Sequence, residues 1–575
     1  MVVFSVPAAF IAVSSLLSLS TNGSPVVPAV RDAEGLTARA DTFAITGVSG
    51  SVQPRLEIRT LAQDSVSWNL FLLAMDRFLN TNQNDMLSFY KVSGIHGVPF
   101  ENWDGVPGAP SDWSGYCPHG SNLFGSWHRP FIALLEQVLN SHAVAIAGEF
   151  PTGTMRSAYQ AAAAKLRFPY WDWATNSVNG NILPGSVSEP TVSVSFPNGT
   201  TGQIHNPLYS YRFHPHDPSI GGAPQNQWPE TIRAGTTSDM ASITQMGQLE
   251  VIFKSGHSAV QNSVSRIFGH YSGWSSSVNS IESVHNTIHS SFQYNSDMYS
   301  LAYSAFDPIF WLHHCNVDRL IALVQAIWPQ SYVQPAQQKG STWTIKRGST
   351  QDVNSPLTPF HRDTKGTFWT SASVRDTKVF GYTYPELVGN PSNSSLISTV
   401  KNMYPPSSGL AASNTASTAN VDGVGNTPID YVANVTLARG ALGDSYAVEF
   451  ALGNPTSDAT TWSLDPGFVG SVAALAVTGV QSDALSSDTV MLTQALQSAF
   501  DSGELGSANE DDVLDYMKKN LRWRVLKGNT VVPVEEVPHL KIDVLSTKVR
   551  PAKSESEFPA WVGDMTSHPD INGAE

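Results

Sequence analysis

The feature of this chain that most constrains its fold is a fifteen-residue segment, FDPIFWLHHCNVDRL, at positions 306–320. Asp307 is of a residue type that caps helix N-termini, and Pro308 fits the first helical position. The segment therefore predicts a helix that begins at Pro308 and carries His313 and His314. At least one imidazole from this helix is then available to join histidines from other segments in a metal site.

A second motif, HNTIH, places His285 and His289 four residues apart. On a helix this spacing points both imidazoles from one face toward one point, as metal ligands do. Taken alone, two histidines at this spacing are more often surface or core residues than ligands. Together with a histidine of the helix that follows Asp307, they make a candidate group of three.

Upstream motifs supply a second group of histidines: His96 in GIHGVPF, His119 in CPHG, and His128 in WHRPFIALLEQ. Imidazole binds copper, zinc, iron and nickel, so the residue type does not identify the metal, but two groups favour a pair of ions. The chain has no H-E-x-x-H pattern and no carboxylate within either group. This argues against a zinc protease and against an iron site with two histidines and one carboxylate. Copper acting with dioxygen is the better candidate.

Charge and cysteine content exclude other classes of protein. The chain has 33 basic and 48 acidic residues, and its formal net charge of -15 repels phosphate backbones. Nucleic acid is therefore excluded as a partner. Two cysteines cannot form a disulfide framework, so a core drawn from 41% hydrophobic residues has to provide the stability.

The composition divides the chain into two domains. Residues 50–386 are dense in aromatic residues and helix-compatible runs, and they predict the first domain. Residues 387–428 are rich in Ser, Asn, Gly, Pro and Ala with almost no apolar periodicity, which predicts an exposed, cleavable linker. Residues 429–552 alternate apolar and polar residues between glycine-rich turns, which predicts a small, mostly β domain.

The N-terminal segment, residues 1–21, is an apolar run followed by polar residues and is interpreted as a signal peptide. It lacks a positive n-region, so a buried or membrane-anchoring helix stays as the alternative. No other stretch is expected to be long and apolar enough to cross a membrane, so the mature form is expected to have no membrane span. Glycosylation sequons agree with a secreted glycoprotein and occur at Asn22, Asn198, Asn393 and Asn434.

The histidine-bearing motifs occur together in an order that resembles one family, the fungal tyrosinases or polyphenol oxidases, which are type 3 dicopper proteins. The similarity continues through FGYTYP, residues 380–385, and covers roughly residues 50–550. This resemblance implies a mainly α catalytic domain, in which a type 3 copper four-helix bundle supplies six ligands. It also implies a small β-rich C-terminal cap domain.

The resemblance implies the two copper sites, matched position by position. Copper A and copper B would each be held by one triplet, namely His96, His119 and His128, and His285, His289 and His314. His313 is excluded because the family's ligand precedes an Asp by four residues, and four residues before Asp318 is His314. His313 is expected to make a packing or polar contact instead.

Two more residues are implied beside the coppers. Cys117 matches the cysteine that in fungal relatives forms a thioether to the middle copper A histidine, here His119, and the alternative is a buried free thiol. Asp318 lies one helical turn beyond His314 and is expected to accept a hydrogen bond that orients a ligand. A salt bridge to an arginine such as Arg129 is the alternative.

Glu282 precedes His285 by three residues, and Asn286 follows it. In similar tyrosinases these positions hold a water that takes the phenol proton. A base suits the chemistry, because a phenol is mostly protonated at neutral pH. The alternative for Glu282 is a glutamate in an N-terminal helical turn that stabilises the helix dipole.

The function that the resemblance implies is oxidation of phenols by dioxygen at two copper ions. It comprises o-hydroxylation of monophenols and oxidation of o-diphenols to o-quinones, for melanin or secondary-metabolite formation. The alternatives are a catechol or o-aminophenol oxidase without hydroxylase activity, and a haemocyanin-like dioxygen-binding protein. In latent relatives a cap side chain reaches toward the coppers as a substrate mimic, and here the candidates are Phe468 and Leu475. A protease that cuts the linker is an expected activating partner.

Overall fold

The computed structural model describes residues 42–109, 115–175, 180–411, 427–477 and 482–573. The predicted signal peptide and residues 412–426 of the predicted linker lie outside these ranges. The described residues form a helical first domain and a β-rich C-terminal domain, each with its own hydrophobic core. This is the fold class that the sequence predicts, and we call the second part the cap domain.

Long helices pack against one another at the centre of the first domain. The helices of the described residues are α1 (Ile58–Leu61), α2 (Ser65–Leu79), α3 (Phe89–Ser93), α4 (Phe124–Glu149), α5 (Thr154–Lys165), α6 (Met246–Gly269), α7 (Trp274–Ser291), α8 (Pro308–Ile327), α9 (Asn393–Met403), α10 (Thr493–Ser502) and α11 (Glu510–Asn520). α2 packs on α4, α4 on α8, α8 on α7, and α7 on α6. The apolar face of each helix is thereby covered by its neighbours.

Helix α8 begins where the sequence predicts it. The Asp307 carboxylate accepts a hydrogen bond from the backbone N–H of Ile309 at 3.0 Å, and Pro308 occupies the first turn. The buried Arg233 donates to the same carboxylate at 2.6 Å and ties the start of the helix to the loop that precedes α6. Nearly every residue of α8 is buried, so its histidine pair lies in the core.

Helix α4 corrects one expectation. Within the described ranges it is the helix that is long and apolar enough to cross a membrane, whereas the sequence predicts none beyond the N-terminal segment. However, 61% of its apolar window is buried inside the protein, and the helix carries the buried His128. The apolarity of α4 is therefore that of a central core helix.

Strands are short in the first domain and longer in the cap domain. They are β1 (Gln53–Pro54), β2 (Thr191–Ser195), β3 (Thr201–His205), β4 (Ala336–Gln337), β5 (Thr350–Gln351), β6 (Pro356–His361), β7 (Phe368–Thr370), β8 (Tyr382–Thr383), β9 (Ile429–Ala438), β10 (Tyr446–Leu452), β11 (Phe468–Ala474), β12 (Leu485–Met491), β13 (Leu521–Lys527), β14 (Thr530–Val532), β15 (Lys541–Arg550) and β16 (Ala560–Ser567). The cap domain has two antiparallel sheets, ordered β12-β9-β15-β16 and β11-β10-β13-β14.

The cap domain extends further than the sequence predicts. Strand β16 pairs with β15 and forms an edge of its sheet beyond residue 552. The backbone N–H of Trp523 donates to the carbonyl of Gly573 at 2.8 Å, which ties the last described residues to β13. The boundary predicted at residue 552 is therefore wrong, because β16 is an edge strand of the sheet that also contains β9, the first strand of the cap domain in the sequence.

Part of the predicted linker, residues 387–428, is folded. Helix α9 lies within it, and its Leu396 and Val400 are buried in the core of the first domain. Tyr404, just after this helix, donates to the Asp172 carboxylate at 2.7 Å. The prediction of an exposed linker is wrong for α9, because Leu396 and Val400, together with the partly buried Ile397 and Met403, form an apolar face that packs on the first domain.

The cap domain packs on α6 and α7 of the first domain. Strand β11 lies along both helices, and Thr287 on α7 donates to the carbonyl of Ser471 at 3.3 Å. A buried ion pair joins Arg266 on α6 to Asp488 on β12 at 2.8 Å. The cap domain therefore covers the helix that carries the HNTIH motif.

Candidate metal centre

The structure brings the predicted histidines together in two buried groups. In each group, one nitrogen or sulfur atom of every member lies within 4.8 Å of the others. The first group is His96, Cys117, His119 and His128, and the second is His285, His289, His313 and His314. The groups are neighbours, because the rings of His128 and His314 stack with centroids 4.5 Å apart.

Helices supply only part of this site. Helix α4 carries His128, α7 carries His285 and His289, and α8 carries His314, whereas turns carry His96 and His119. The expectation that a four-helix bundle supplies all six histidine ligands is therefore wrong for His96 and His119. Gly115 has φ of +62°, and a Cβ there would lie 2.8 Å from the carbonyl oxygen of His96. Glycine thus lets the turn that leads to His119 lie directly against the turn of His96.

Hydrogen bonds orient four of the rings. In each ring Nδ1 faces an acceptor oxygen, so Nδ1 carries the proton and Nε2 keeps its lone pair. The acceptors are the carbonyls of Leu301 for His96 (3.1 Å), Phe124 for His128 (2.7 Å) and Met298 for His289 (2.6 Å), and the side-chain oxygen of Asn286 for His285 (3.0 Å). A neutral imidazole with a free Nε2 is the form that binds a metal ion.

Unpaired nitrogens test whether these residues fit metal ions. Within the described part of the chain, the buried Nε2 atoms of His96, His289 and His313 have no hydrogen-bond partner. The Nε2 atoms of His285 and His314 face each other at 3.1 Å. Buried polar atoms are normally satisfied, yet Nδ1 of His314 also has no hydrogen-bond partner. Metal ions would satisfy the Nε2 atoms of the predicted ligands, and imidazole suits copper, so the two groups fit two copper ions.

Burial keeps the imidazoles neutral. It lowers the pKa of His128 to about 3 and the pKa of His289 to about 4. It also lowers the pKa of His96, His119 and His285 well below the usual value. A neutral imidazole binds a cation without first losing a proton, so the site is prepared for metal near neutral pH.

His313 lies inside the second group, although the sequence spacing excludes it as a ligand. Its Nδ1 accepts a hydrogen bond from the indole N–H of Trp173 at 3.1 Å. Because an indole only donates, Nδ1 of His313 holds a lone pair and Nε2 carries the proton. Distance does not distinguish His313 from His314 as a ligand, but this hydrogen bond does. It places the proton of His313 on Nε2, which then has no lone pair for a metal ion.

Cys117 lies between two rings of the first group. Its Sγ is 3.2 Å from Nδ1 and 3.9 Å from Nε2 of His119, and 3.2 Å from Nε2 of His128. The sulfur therefore faces the edge of the His119 ring that holds the carbon between the two nitrogens. Cys117 and Cys315 are both buried and free, and burial raises the pKa of the Cys117 thiol, which keeps it protonated.

Asp318 lies beneath the site and joins two of its helices. Arg129 on α4 donates to one carboxylate oxygen at 2.7 Å, and Tyr382 and Tyr384 each donate to the other at 2.6 Å. Burial alone would raise the pKa of Asp318, but Arg129 and Arg55 lower it below its ordinary value. The structure therefore has the salt bridge that the sequence offers as the alternative.

Glu282 and Asn286 are both buried on α7, on either side of His285. Because α7 begins at Trp274, two turns earlier, the alternative of a glutamate in the first helical turn is wrong. The Glu282 carboxylate accepts a hydrogen bond from the backbone N–H of Gly120 at 2.6 Å. Glu282 therefore links the helix of the second group to the turn that belongs to the first.

Sequence reasoning missed the cap residues that reach this pair. Arg439 donates to the Glu282 carboxylate at 2.7 Å, and the carbonyl of Ala473 accepts a hydrogen bond from Asn286 Nδ2 at 3.4 Å. A single arginine after a strand belongs to no motif, and a backbone carbonyl has no side-chain signal. Only the packing of the cap domain on α7 brings these groups to the site.

A cavity of about 550 Å³ lies between the first domain and the cap domain, and it reaches Cys117 and His119. Leu475 lines this cavity. Phe468 lies elsewhere, with its ring against Gly256 on α6. Of the two cap residues that the resemblance suggests as substrate mimics, Leu475 is therefore the one beside the histidines.

Comparisons with known proteins match both domains. The family model "Common central domain of tyrosinase" matches residues 86–327, and "Tyrosinase C-terminal domain" matches residues 430–544. The chain is 31% identical to a tyrosinase of Neurospora crassa over 92% of this chain and 97% of that protein. It is 30% identical to polyphenol oxidase 2 of Agaricus bisporus over 79% and 84%. A crystal structure of latent and active mushroom tyrosinase matches with a TM-score of 0.78 and 25% identity, covering 93% of this chain and 99% of that one.

Two neighbouring groups of neutral imidazoles, held by packed helices under a β-rich domain, define a type 3 dicopper protein. The match to the Neurospora tyrosinase spans nearly all of both chains. The chain belongs to the tyrosinase family. It is a copper-dependent enzyme that oxidises phenols with dioxygen.

Proposed function

We propose that the enzyme hydroxylates monophenols at the ortho position and also oxidises o-diphenols to o-quinones. The observation that carries this proposal is the Glu282 carboxylate, which is buried and bonded to the turn beside His119. A carboxylate at this point can take the proton of a monophenol, which the hydroxylation step needs because phenols are mostly protonated at neutral pH. The second candidate is a catechol or o-aminophenol oxidase without hydroxylase activity. A haemocyanin-like carrier is disfavoured, since the relatives matched over most of their length are named as enzymes.

The residues assigned to the metals are the two triplets that the sequence predicts. We assign His96, His119 and His128 to copper A, and His285, His289 and His314 to copper B. His313 is left out because Trp173 fixes its proton on Nε2. When bound, the two ions supply the activation of dioxygen and the transfer of electrons from the phenol. The chain itself orients the rings through backbone carbonyls and holds α4 and α8 together through Asp318.

Removal of one imidazole tests the assignment. His289→Ala should lower the copper content from two ions per chain to one, because copper B loses a ligand that the fold cannot replace. His313→Gln should keep two ions, since the proton on Nε2 of His313 leaves that atom no lone pair for a metal ion. Metal analysis of the purified chains checks both results, and His257→Ala on α6 is the control for a histidine outside the groups. A single ion in the unaltered chain, or loss of copper from His313→Gln, would contradict the assignment.

Replacing the proposed base tests the hydroxylase activity. In the chain with its cap released, Glu282→Gln should lower the rate on 4-methylphenol by roughly a hundredfold, the usual contribution of a positioned base. The rate on 4-methylcatechol should fall far less, because a catechol gives up its proton more readily. Both rates are compared at equal copper content. Equal losses on the two substrates would assign Glu282 a structural role.

We propose that Cys117 Sγ forms a thioether with the ring carbon between the nitrogens of His119. The support is the position of Sγ beside that edge of the ring. Forming the C–S bond breaks the thiol S–H and the ring C–H bond, and the two protons and two electrons released reduce one dioxygen to hydrogen peroxide. Such a link would fix the His119 ring, whose turn lacks the support of a helix.

We propose that the protein is secreted, glycosylated and latent, and that it serves melanin or secondary-metabolite formation. Asn198 is exposed at the turn between β2 and β3, where a glycan has room. Asn434 suits a glycan less, because it lies on β9, which is paired on both sides. The proposed activating partner is a protease that cuts within residues 412–426.

A further inference from the structure

The cap domain reaches the proposed base with a charged side chain. Arg439, just after β9, contacts a Glu282 carboxylate oxygen at 2.7 Å, and their side chains are only 13% and 3% exposed. Gly120 lies against the same guanidinium, since a Cβ there would be 2.8 Å from Cζ of Arg439. Arg439 is therefore packed between α7 and the turn that follows His119.

The second residue of the pair is also held by the cap domain. Asn286 Nδ2 donates to the carbonyl of Ala473 at 3.4 Å, and the Asn286 side-chain oxygen accepts from His285. Both residues that the resemblance assigns to a proton-accepting water thus have hydrogen bonds to the cap domain. The cap domain contributes a charged side chain to the first contact and a backbone carbonyl to the second.

The cap domain does not fill the space next to these residues. The cavity of about 550 Å³ reaches His119 and is lined by Arg439 and Leu475. Sites for small molecules span roughly 300–1,000 Å³, so a phenol with a single ring fits in this volume. A small substrate in the uncut chain therefore meets an accessible cavity lined by Arg439, whose guanidinium already binds the Glu282 carboxylate behind it.

We propose that Arg439 determines which phenols the uncut chain oxidises. By holding the Glu282 carboxylate in a charge-assisted hydrogen bond, it suppresses hydroxylation of small monophenols, while small o-diphenols still react. The Arg439 guanidinium and the Gly120 N–H both donate to the same Glu282 oxygen, so that oxygen is occupied when a phenol has to give up its proton, and only the monophenol reaction depends strongly on this acceptor. This inference rests on the proposed role of Glu282.

The test uses the uncut, copper-loaded chain and the ratio of its rates on 4-methylphenol and 4-methylcatechol. Arg439→Met keeps an aliphatic stem and removes the charge, and it should raise this ratio roughly tenfold or more. Arg439→Lys keeps a cation and should leave the ratio low. An unchanged ratio in Arg439→Met, or an equal rise in Arg439→Lys, would overturn the inference. Arg439→Gln replaces the Met variant if that variant does not fold.

A matched control separates the ion pair from general loosening of the cap domain. Arg266 and Asp488 form another ion pair between the domains, with side chains 11% and 10% exposed, and it does not involve Glu282. Arg266→Met should therefore leave the substrate ratio unchanged. Gel filtration of the chain cut within residues 412–426, which we call the tether, gives a readout independent of activity. Both Met variants should release the cap domain more readily than the unaltered chain does. A rise of the ratio in Arg266→Met would overturn the inference.

A further comparison distinguishes failure of this inference from failure of the proposed function. Glu282→Gln in the tether-cut chain, after release of the cap domain that carries Arg439, tests the proposed base in the absence of this ion pair. If that variant loses both activities equally, the proposed role of Glu282 fails, and the inference fails with it. If it loses mainly hydroxylation while Arg439→Met leaves the ratio of the uncut chain unchanged, the inference alone fails.

Discussion

Cutting the chain between residues 412 and 426 is expected to raise its rate on a bulky phenol by on the order of a hundredfold, at unchanged copper content. This segment is rich in Ser, Thr, Asn, Ala and Gly, a composition that proteases reach readily, and it lies outside the described residues. On its N-terminal side α9 packs on the first domain, and on its C-terminal side β9 begins a sheet of the cap domain. A cut here interrupts no helix or strand, but it leaves Leu410, which pairs with Ile429 and lies in the cap core, on the first-domain side of the cut.

The size of this effect follows from effective concentration. While the tether is intact, the cap domain is present at an effective concentration in the millimolar range. If the cap domain bound α6 and α7 with micromolar affinity, the docked state would be about a thousand times more populated than the undocked state. This ratio sets the upper limit of activation by the cut. After the cut, dilution below the dissociation constant releases the cap, and a bulky phenol gains access.

The comparison is between the uncut chain and the same preparation after limited proteolysis. 4-Methylcatechol is the control substrate, and it should gain much less from the cut, because it fits the cavity that already reaches His119. Copper analysis of both samples excludes a difference in metal loading. Equal rates of the cut and uncut chain on the bulky phenol would show that the cap domain does not inhibit the enzyme.

The parts of this structure that the sequence predicts are those with local signals. The start of α8 is encoded by two adjacent residues, Asp307 and Pro308, and the paired imidazoles of α7 by a spacing of four. Helix α9 is not predicted because its apolar face, formed by Leu396, Ile397, Val400 and Met403, is short and lies in a segment rich in Ser, Asn and Pro. The strand β16 was missed because its role is to pair with β15, which depends on register rather than composition.

The contacts that decide the chemistry of the site depend on positions far apart in the chain. The proton of His313 is fixed by Trp173, 140 residues away, and the Glu282 carboxylate is held by Arg439, 157 residues away. Neither pairing can be predicted from the spacing of neighbouring residues in the sequence. The register relative to Asp318 separates His313 from His314 only by analogy with a family, whereas the hydrogen bond from Trp173 gives a chemical reason for the same choice.

Asp318→Asn is expected to lower the unfolding free energy by about 3–5 kcal/mol, because it breaks a buried ion pair by removing one partner. Asp318 and Arg129 are each about 1% exposed, and their charged atoms are 2.7 Å apart. Without the carboxylate, Arg129 retains the backbone carbonyls of Val374 and Arg375 but no buried counter-charge at this position. Urea denaturation of the copper-free chain measures the loss without any contribution from the metal.

The matched control is Tyr382→Phe. It removes one hydrogen bond to the same carboxylate but keeps the ring that lies beneath the Arg55 guanidinium, so it should cost about 2 kcal/mol. If Asp318→Asn were no more destabilising than Tyr382→Phe, the charge of Asp318 would not be what holds the two helices together.

The pH dependence of the same variant provides an independent check. Because the folded-state pKa of Asp318 is lowered, its contribution is complete above the unfolded-state pKa of about 4 and is lost as the pH falls toward the folded-state value. The stability difference between the natural chain and Asp318→Asn should therefore be constant near neutral pH and shrink in acid. Arg129 follows His128 on α4, and Asp318 lies one turn beyond His314 on α8. Loss of this pair should thus also weaken copper retention, since it fixes the spacing of the helices that bring the two histidine groups side by side.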